Sequence, residues 1–146
     1  MGLDCYIVHG NDQDKAFTSK DSVLLEGINL CGGMFSGSGS DGSFRGKVYE
    51  PLVDELMETQ GIWHKSEEYH DPPYVTSDEL KEQAETLEEL IKLKIEFMEE
   101  DGKTYDYDTI IHTTRCGGEY TYGEVKDLAT LLGVAGKRGA VMHVWW

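Results

Sequence analysis

The sequence predicts an α+β fold in which a small mixed β-sheet, holding both the N- and C-terminal strands, carries about three packed helices. Apolar segments with strand-like alternation stand at both ends of the chain, and two helix-start signals of the same type occur at Thr76 and Thr121. A third segment, of helical periodicity, follows Pro51. At 146 residues the chain has the size of one domain, so we predict a single domain over 1–146.

The first predicted element is a strand over residues 3–10, LDCYIVHG. Leu3, Cys5 and Ile7 alternate with Tyr6 and Val8, so both faces of the strand are largely apolar. Such a strand belongs in the interior of a sheet rather than at its edge. Residues 11–22 are polar and predict a loop or a short helix, and SVLLEGINL at 22–30 predicts a second strand or a turn.

A helix is predicted to begin at Pro51. Proline has no backbone N–H, and it is tolerated in the first helical turn because no intrahelical bond is lost there. Gly61 can adopt the left-handed backbone conformation that ends many helices. Between the two, apolar side chains recur at helical spacing at Leu52, Val53, Leu56 and Met57.

The longest predicted element is a helix that starts at Thr76 and runs to about residue 100. Thr76 and Glu79 have the spacing of a capping box, and Val75 and Leu80 flank them as a hydrophobic staple. Its apolar face consists of Leu80, Ala84, Leu87, Ile91, Ile95 and Met98.

The last third of the chain predicts a strand, a helix and a terminal strand. After Gly102, which ends the long helix, apolar and polar side chains alternate over Tyr105–His112 and predict a strand. Thr121 and Glu124 repeat the capping-box spacing and start the third helix. The final segment AVMHVWW, residues 140–146, favours a strand, and we expect it to join the sheet of the N-terminal strand.

The chain is strongly acidic, and its charge is concentrated in the middle. The formal net charge is −15, and residues 50–101 hold seventeen acidic side chains against four lysines. This field repels nucleic-acid backbones and anionic membranes, so we expect no direct contact with either. It suits a basic protein partner, or it serves solubility alone.

Several features of the sequence favour a cytoplasmic location. No apolar run approaches the roughly 20 residues that cross a bilayer, and the N-terminus lacks the pattern of a signal peptide. Three cysteines, with no C-x-x-C spacing, favour reduced thiols over a disulfide framework or a cysteine zinc site. We therefore expect a cytoplasmic protein, as a monomer or an oligomer.

The segment LCGGMFSGSGSDGSFRGK, residues 30–47, is a candidate ligand site with six glycines. Glycines let backbone N–H groups converge on one point, and Arg45 and Lys47 add positive charge for an anionic ligand. It is no Walker motif, because Asp41 and Val48 occupy the required glycine and hydroxyl positions. A solvent-side loop or a partner-binding loop explains the same composition. The candidate ligand-binding residues are Gly42, Ser43, Arg45 and Lys47.

A second candidate site lies in TIIHTTR, residues 109–115. His112 and Thr114 point to the same side of the predicted strand, and the pattern has the form seen in two-histidine phosphoesterases. Those enzymes need a second such histidine, and the one candidate, His64, lies in a charged connector. Otherwise His112 is a strand-end histidine satisfied by a hydrogen bond. We take His112, Thr114 and Arg115 as candidate ligand contacts and assign no catalytic residue.

Side chains of metal-binding type also cluster in the connector His64–Asp71. Acidic connectors are often rich in such residues without binding metal, and the segment DGKTYDYD lacks the spacing of a calcium-binding loop. We expect neither a metal nor a cofactor.

Four motifs resemble those of small uncharacterised proteins encoded by bacteriophages and some bacteria. They are MGLDCY at the N-terminus, LCGGMFSG and SFRGKVY in the first third, and WW at the C-terminus. The resemblance covers the N-terminal third and the last residues, and it leaves out the acidic middle. It implies a cytoplasmic, phage-associated protein, and it transfers no activity and no catalytic residue.

These features favour a protein that acts by binding rather than by catalysis. The leading hypothesis is an accessory protein that uses the Gly/Ser-rich loop and Arg45 as its contact surface. The first alternative is a nucleotide-binding or other phosphoryl-ligand protein, or a phosphodiesterase, in which Arg45 and His112 share one pocket. The second alternative is an acidic decoy for a basic protein partner.

Overall fold

The computed structural model describes residues 4–9, 23–32, 42–63 and 74–145. The predicted α+β class is confirmed, with a 3-10 turn where 22–30 predicts a strand or a turn. The predictions for residues 11–22 and 33–41 fall outside the described residues. The elements are β1 (Asp4–His9), a 3-10 helix (Val23–Leu25), β2 (Ser43–Arg45), α1 (Gly46–Met57), α2 (Ser77–Glu100), β3 (Ile110–Thr113), β4 (Glu119–Thr121), α3 (Tyr122–Lys137) and β5 (Ala140–Trp145).

The two terminal strands are neighbours in a three-stranded sheet of order β2-β1-β5. Asp4 on the central strand lies opposite Arg45 on β2 and Trp145 on β5. The shared sheet and the interior position of the first strand are therefore both confirmed. The described pairings are antiparallel, so this part of the sheet is antiparallel rather than mixed. β3 and β4 form a separate two-stranded sheet.

Helices α2 and α3 pack against one another and form much of the core. Gly136 allows their close approach, because a Cβ there would lie 2.6 Å from Cγ of Lys81 and 2.9 Å from the backbone oxygen of Ser77. Each fully buried leucine on these faces contributes about 1.5–3 kcal/mol. The buried side chains include Leu80, Ala84 and Leu87 of α2, and Val125, Leu128, Ala129 and Leu132 of α3, as predicted. Ile91, Ile95 and Met98, from the same predicted face of α2, are only partly buried.

Both predicted capping boxes are present. Thr76 Oγ1 accepts from the Glu79 N–H at 3.3 Å, and the Glu79 carboxylate accepts from the Thr76 N–H at 3.3 Å. Thr121 and Glu124 make the same pair of bonds at 3.2 and 3.1 Å. These bonds satisfy N–H groups that the first turn of a helix leaves unpaired. Among the helices described, none is both long enough and apolar enough to cross a membrane.

The predicted start and end of the first helix are wrong. α1 begins five residues before Pro51 and ends at Met57 rather than near Gly61. Pro51 therefore lies inside the helix, where it removes the bond to the carbonyl of Lys47. Glu58, at a φ of 54°, takes the left-handed position that Gly61 was expected to occupy.

The strand predicted over Tyr105–His112 is also too long, because β3 comprises only Ile110–Thr113. The residues before it form turns that are closed by the Asp106 carboxylate. This group accepts from the Asp108 N–H at 3.0 Å and from Thr109 Oγ1 at 3.1 Å. An aspartate that bonds to nearby backbone competes with strand pairing, and this local competition shortens the strand.

Candidate functional site

The seven predicted ligand residues fall into two groups at opposite ends of α1. Arg45 and Lys47 stand at its start, whereas His112 and Arg115 contact Glu55 near its end. Glu55 lies nine residues after the first residue of α1, which is about 13 Å along the helix axis. The structure therefore does not bring the two groups into one shared pocket. Gly42 and Ser43 belong to the first group, and Thr114 belongs to the second.

The first group lies at the base of the Gly/Ser-rich loop. The Arg45 N–H donates to the Cys31 carbonyl at 2.8 Å, and the Gly42 carbonyl accepts from a β1 N–H at 2.9 Å. Gly42 has a φ of 84°, which glycine adopts without strain. Gly42 and Ser43 are buried, whereas Arg45 and Lys47 are exposed. Of these four residues, only the two cations present their side chains to solvent.

Cys31 also joins the loop base to α1. Its N–H donates to Tyr49 Oη at 2.8 Å. Burial, the largest cause, raises the pKa of Tyr49 to about 12, so the hydroxyl keeps its proton at neutral pH. Unlike α2 and α3, α1 starts with no side-chain cap and no acid in its first turn. The loop base is thus well anchored, and it carries two exposed cations, with Asp4 of β1 opposite Arg45.

The second group is organised by Glu55, which sequence analysis did not single out. Its Oε1 accepts from the backbone N–H of Arg115 at 2.8 Å, and its Oε2 lies 2.7 Å from Nε2 of His112. The bond from Arg115, followed by that from His112, lowers the pKa of Glu55. One carboxylate on α1 therefore holds the end of β3 and the turn that follows it.

His112 is bonded at one ring nitrogen and buried at the other. Because a carboxylate can only accept, Nε2 carries the proton in the pair with Glu55. Nδ1 is buried and has no hydrogen-bond partner within the described part of the chain. The predicted strand-end histidine held by a hydrogen bond is confirmed at Nε2. A general base needs a nitrogen within reach of a substrate, and neither nitrogen of His112 meets that need.

Thr114 closes the turn between β3 and β4. Its N–H donates to the Gly118 carbonyl at 2.8 Å, and its Oγ1 accepts from the Gly118 N–H at 2.9 Å. Gly117, at a φ of 92°, donates to the Thr114 carbonyl at 2.9 Å. These N–H groups bond within the turn, so they do not form a cradle for an anion.

A groove of about 650 Å³ lies beside this turn. Asp54, Glu55 and Glu58 line it, and Arg115 is the single cation among its described lining residues. Both Asp54 oxygens accept bonds from residues 59–62, which follow α1. Three carboxylates beside one guanidinium make the groove unfavourable for a phosphoryl ligand.

The described part of the chain contains no cluster of metal-ligating side chains. Within it, no group of three or more Cys, His or acidic side chains is placed to hold a metal ion. His64 and the other candidate ligands of the connector lie outside the described residues. All three cysteines are free thiols, with Cys5 buried and Cys31 and Cys116 exposed.

The longest helix presents acidic and apolar side chains on one surface. Leu93 and Phe97 of α2 are 50% and 57% exposed, although both are large and apolar. At 3.6 residues per turn they lie on the same side of the helix as four exposed glutamates. We call this set the α2 outward face: Glu82, Glu89, Leu93, Glu96, Phe97 and Glu100.

The opposite side of α2 is committed to the core. Leu80 and Leu87 are buried there, and the helix packs on α3 and also contacts α1, β3 and β5. The outer side of α2 carries exposed glutamates, and Leu93 and Phe97 lie among them. The sequence does carry a signal for this pair, because helical spacing puts Leu93 and Phe97 off the predicted apolar face, but sequence analysis did not single them out.

Comparisons with protein-family models, curated proteins and solved structures find no match. The resemblance to bacteriophage proteins therefore stays a prediction. Side-chain chemistry is the guide to function for this chain.

Proposed function

We propose that the protein acts by binding a basic protein partner through the α2 outward face, and not by catalysis. One observation supports this most: exposed Leu93 and Phe97 stand among exposed glutamates on the longest helix. An apolar centre surrounded by a polar, solvent-accessible rim is the usual arrangement of a protein contact surface, and these two side chains with their glutamates have that arrangement. We retain the cytoplasm as the expected location.

The charge of α2 sets the chemistry of the partner. The helix carries nine acidic residues and three lysines, within a chain of net charge −15. Such a field concentrates cations near the surface, speeds their encounter and repels polyanions. A protein with a basic surface is the kind of partner that this field attracts. Nucleic acids and anionic membranes are repelled by it.

The test of this proposal is the binding of a fluorescent oligolysine peptide as a function of salt. We expect binding that weakens steeply between about 0.05 and 0.3 M salt, because exposed charges are screened over that range. The triple variant Glu82→Gln, Glu89→Gln and Glu96→Gln should bind more weakly and show a shallower salt dependence.

The control removes the same charge from other elements. Glu26→Gln, Asp108→Asn and Glu119→Gln are exposed positions outside α2, and this variant should retain most of the affinity. Equal losses in the two triple variants would show that net charge, and not the helix face, attracts the peptide. Absence of binding to the wild-type protein at low salt would contradict the proposal.

A second candidate function is anion binding at the base of the Gly/Ser-rich loop. The supporting observation is the anchored base, where Arg45 bonds to Cys31 and two exposed cations stand beside an uncapped helix start. An anionic group on a small ligand or on a protein would complement them.

Thermal stability against a panel of nucleotides tests this second function. A nucleotide at a hundred times its dissociation constant should add about 2.7 kcal/mol to the free energy of unfolding. The gain should disappear in Arg45→Ala with Lys47→Ala and remain in the control Lys103→Ala with Lys137→Ala, two exposed lysines elsewhere. A panel without any effect on the wild-type protein would rule the nucleotide class out.

A further inference from the structure

Resting on the proposed function, we infer that Leu93 and Phe97 are the apolar anchors of a docking site for an amphipathic basic helix of a partner protein. The pair is separated by four residues, so the two side chains stack one turn apart on the same side of α2. Their exposed fractions, 50% and 57%, leave about half of each side chain to a partner.

The surroundings of the pair determine the charge of the partner helix. Glu89, Glu96 and Glu100 lie on the same side and are exposed. A partner that covers Leu93 and Phe97 therefore places its flanking residues against carboxylates. Lysine or arginine there would be attracted, and aspartate or glutamate would be repelled.

The backbone of α2 offers no strand edge to a partner, and its side chains suit a helix. Bonds within the helix use its N–H and carbonyl groups, so an extended peptide has no strand edge to extend. A regular ridge of side chains at spacing i, i+4 accepts the ridge of another helix. A helix with apolar residues at positions i, i+3 or i+4 and basic residues beside them matches both the shape and the charge of this surface.

A second copy of the chain does not fit the same surface. If two such faces packed on each other, Glu89, Glu96 and Glu100 of one copy would lie near those of the other. Like charges held close together repel. The chain charge of −15 adds to this repulsion. The docking site is therefore directed at a different protein.

The test compares two synthetic peptides of identical leucine and lysine composition. In one the leucines occur at helical spacing along one face, and in the other the order is scrambled. Fluorescence anisotropy should show about tenfold tighter binding of the ordered peptide to the wild-type protein. Leu93→Ala with Phe97→Ala should abolish this difference and leave the scrambled peptide unaffected.

Leu24→Ala is the matched control, because Leu24 is 46% exposed and lies outside α2. It should change neither affinity. Alanine is the best helix former, so the α2 double variant should fold, and its unfolding midpoint should confirm this. Amide chemical shifts of the wild-type protein with the ordered peptide should change most around Leu93 and Phe97, which gives a readout that needs no variant.

The outcomes separate this inference from the proposed function. If the double variant binds the ordered peptide as the wild-type does, the docking site is wrong, while salt-dependent binding of both peptides leaves the proposed function standing. If neither peptide binds the wild-type protein, the proposed function itself fails. If sedimentation shows a dimer that the double variant loses, the occupant is a second copy and the inference is overturned.

Discussion

The carboxylate of Glu55 on α1 bonds to the imidazole of His112 on β3, with 2.7 Å between Oε2 and Nε2. Its second oxygen accepts the backbone N–H of Arg115. His112 and Arg115, which suggest a ligand site in the sequence, thus belong to a tertiary contact. This contact fixes the small β3-β4 sheet to α1. The His112 ring and the Arg115 backbone are used within the fold, and the binding surface that we propose lies on α2.

Replacing Glu55 tests this contact. Glu55→Ala leaves the Arg115 N–H and His112 Nε2 without their acceptor, and we expect the free energy of unfolding to fall by about 1–3 kcal/mol. Denaturant titration measures it. Glu58→Ala is the matched control, since Glu58 is an exposed glutamate on the same groove, and it should change stability by less than about 0.5 kcal/mol. Equal effects in the two variants would contradict the structural role of Glu55.

The pH dependence of the same contact has a definite sign. The fold lowers the pKa of Glu55 from its ordinary value of 4.5, so the folded state binds this proton less readily than the unfolded chain. The resulting stabilisation is complete above the unfolded pKa and is lost as the pH falls through the folded pKa. Unfolding of Glu55→Gln, which carries no charge at any pH, should lack this acid-sensitive part. If the wild-type protein and Glu55→Gln lose stability in parallel as the pH falls, Glu55 does not contribute to the acid sensitivity.

The burial of His143 on β5 leads to a second prediction about how stability depends on pH. The ring is 5% exposed and lies 5.7 Å from the Tyr6 ring and 5.6 Å from the Tyr74 ring. Burial lowers the pKa of His143, so the unfolded chain binds the proton more strongly. Stability is therefore full above the unfolded pKa and declines as the pH falls from about 7 towards 5. His143→Phe should flatten this decline in thermal unfolding curves, and an unchanged slope would assign it to other groups.

Replacing either of two glycines of α3 by alanine should change the free energy of unfolding, but in opposite directions. A Cβ on Gly123 would overlap the ring of Tyr107, whose hydroxyl donates to Asp127. Gly123→Ala should displace this ring and lower the free energy of unfolding by about 1–3 kcal/mol. A Cβ on Gly133 would make an ordinary 3.5 Å contact with Ala84. Gly133→Ala should therefore be neutral or stabilise by up to about 1 kcal/mol, because alanine favours a helix.

Chemical denaturation of the two alanine variants decides between these expectations. Gly123 lies in the first turn of α3 and Gly133 in its interior, so alanine's helix propensity favours Gly133→Ala at least as much, and only Gly123→Ala also meets a ring. If Gly123→Ala unfolds with the wild-type midpoint, the packing of Tyr107 on α3 is incorrect.

The elements that the sequence predicts well are those with local signals. The boxes at Thr76 and Thr121 need only residues three positions away, and both helices start where those residues place them. The start of α1 is different, because Pro51 by itself favours a first turn there. In the structure the helix has an additional turn before Pro51, and Tyr120 Oη donates to the Val48 carbonyl in that turn at 2.7 Å. The two residues are 72 positions apart, so the sequence near Pro51 does not reveal this contact.

Short strands and distant contacts account for the remaining differences. β2 and β4 contain three residues each, too few to show an alternation. Glu55 and His112 are 57 residues apart, and nothing near Glu55 distinguishes it from the other acids of the chain. Arg45 and His112 are also far apart in the sequence. The sequence therefore did not show that most of the length of α1 separates them.

Amide chemical-shift mapping of the isotope-labelled protein with an oligolysine peptide tests most directly whether the α2 outward face is the binding surface. We predict that the changes follow Glu82, Glu89, Glu96 and their neighbours on the exposed side of α2, and that they fade as salt is added. Changes confined to the Glu55 groove, with α2 unaffected, would contradict the account.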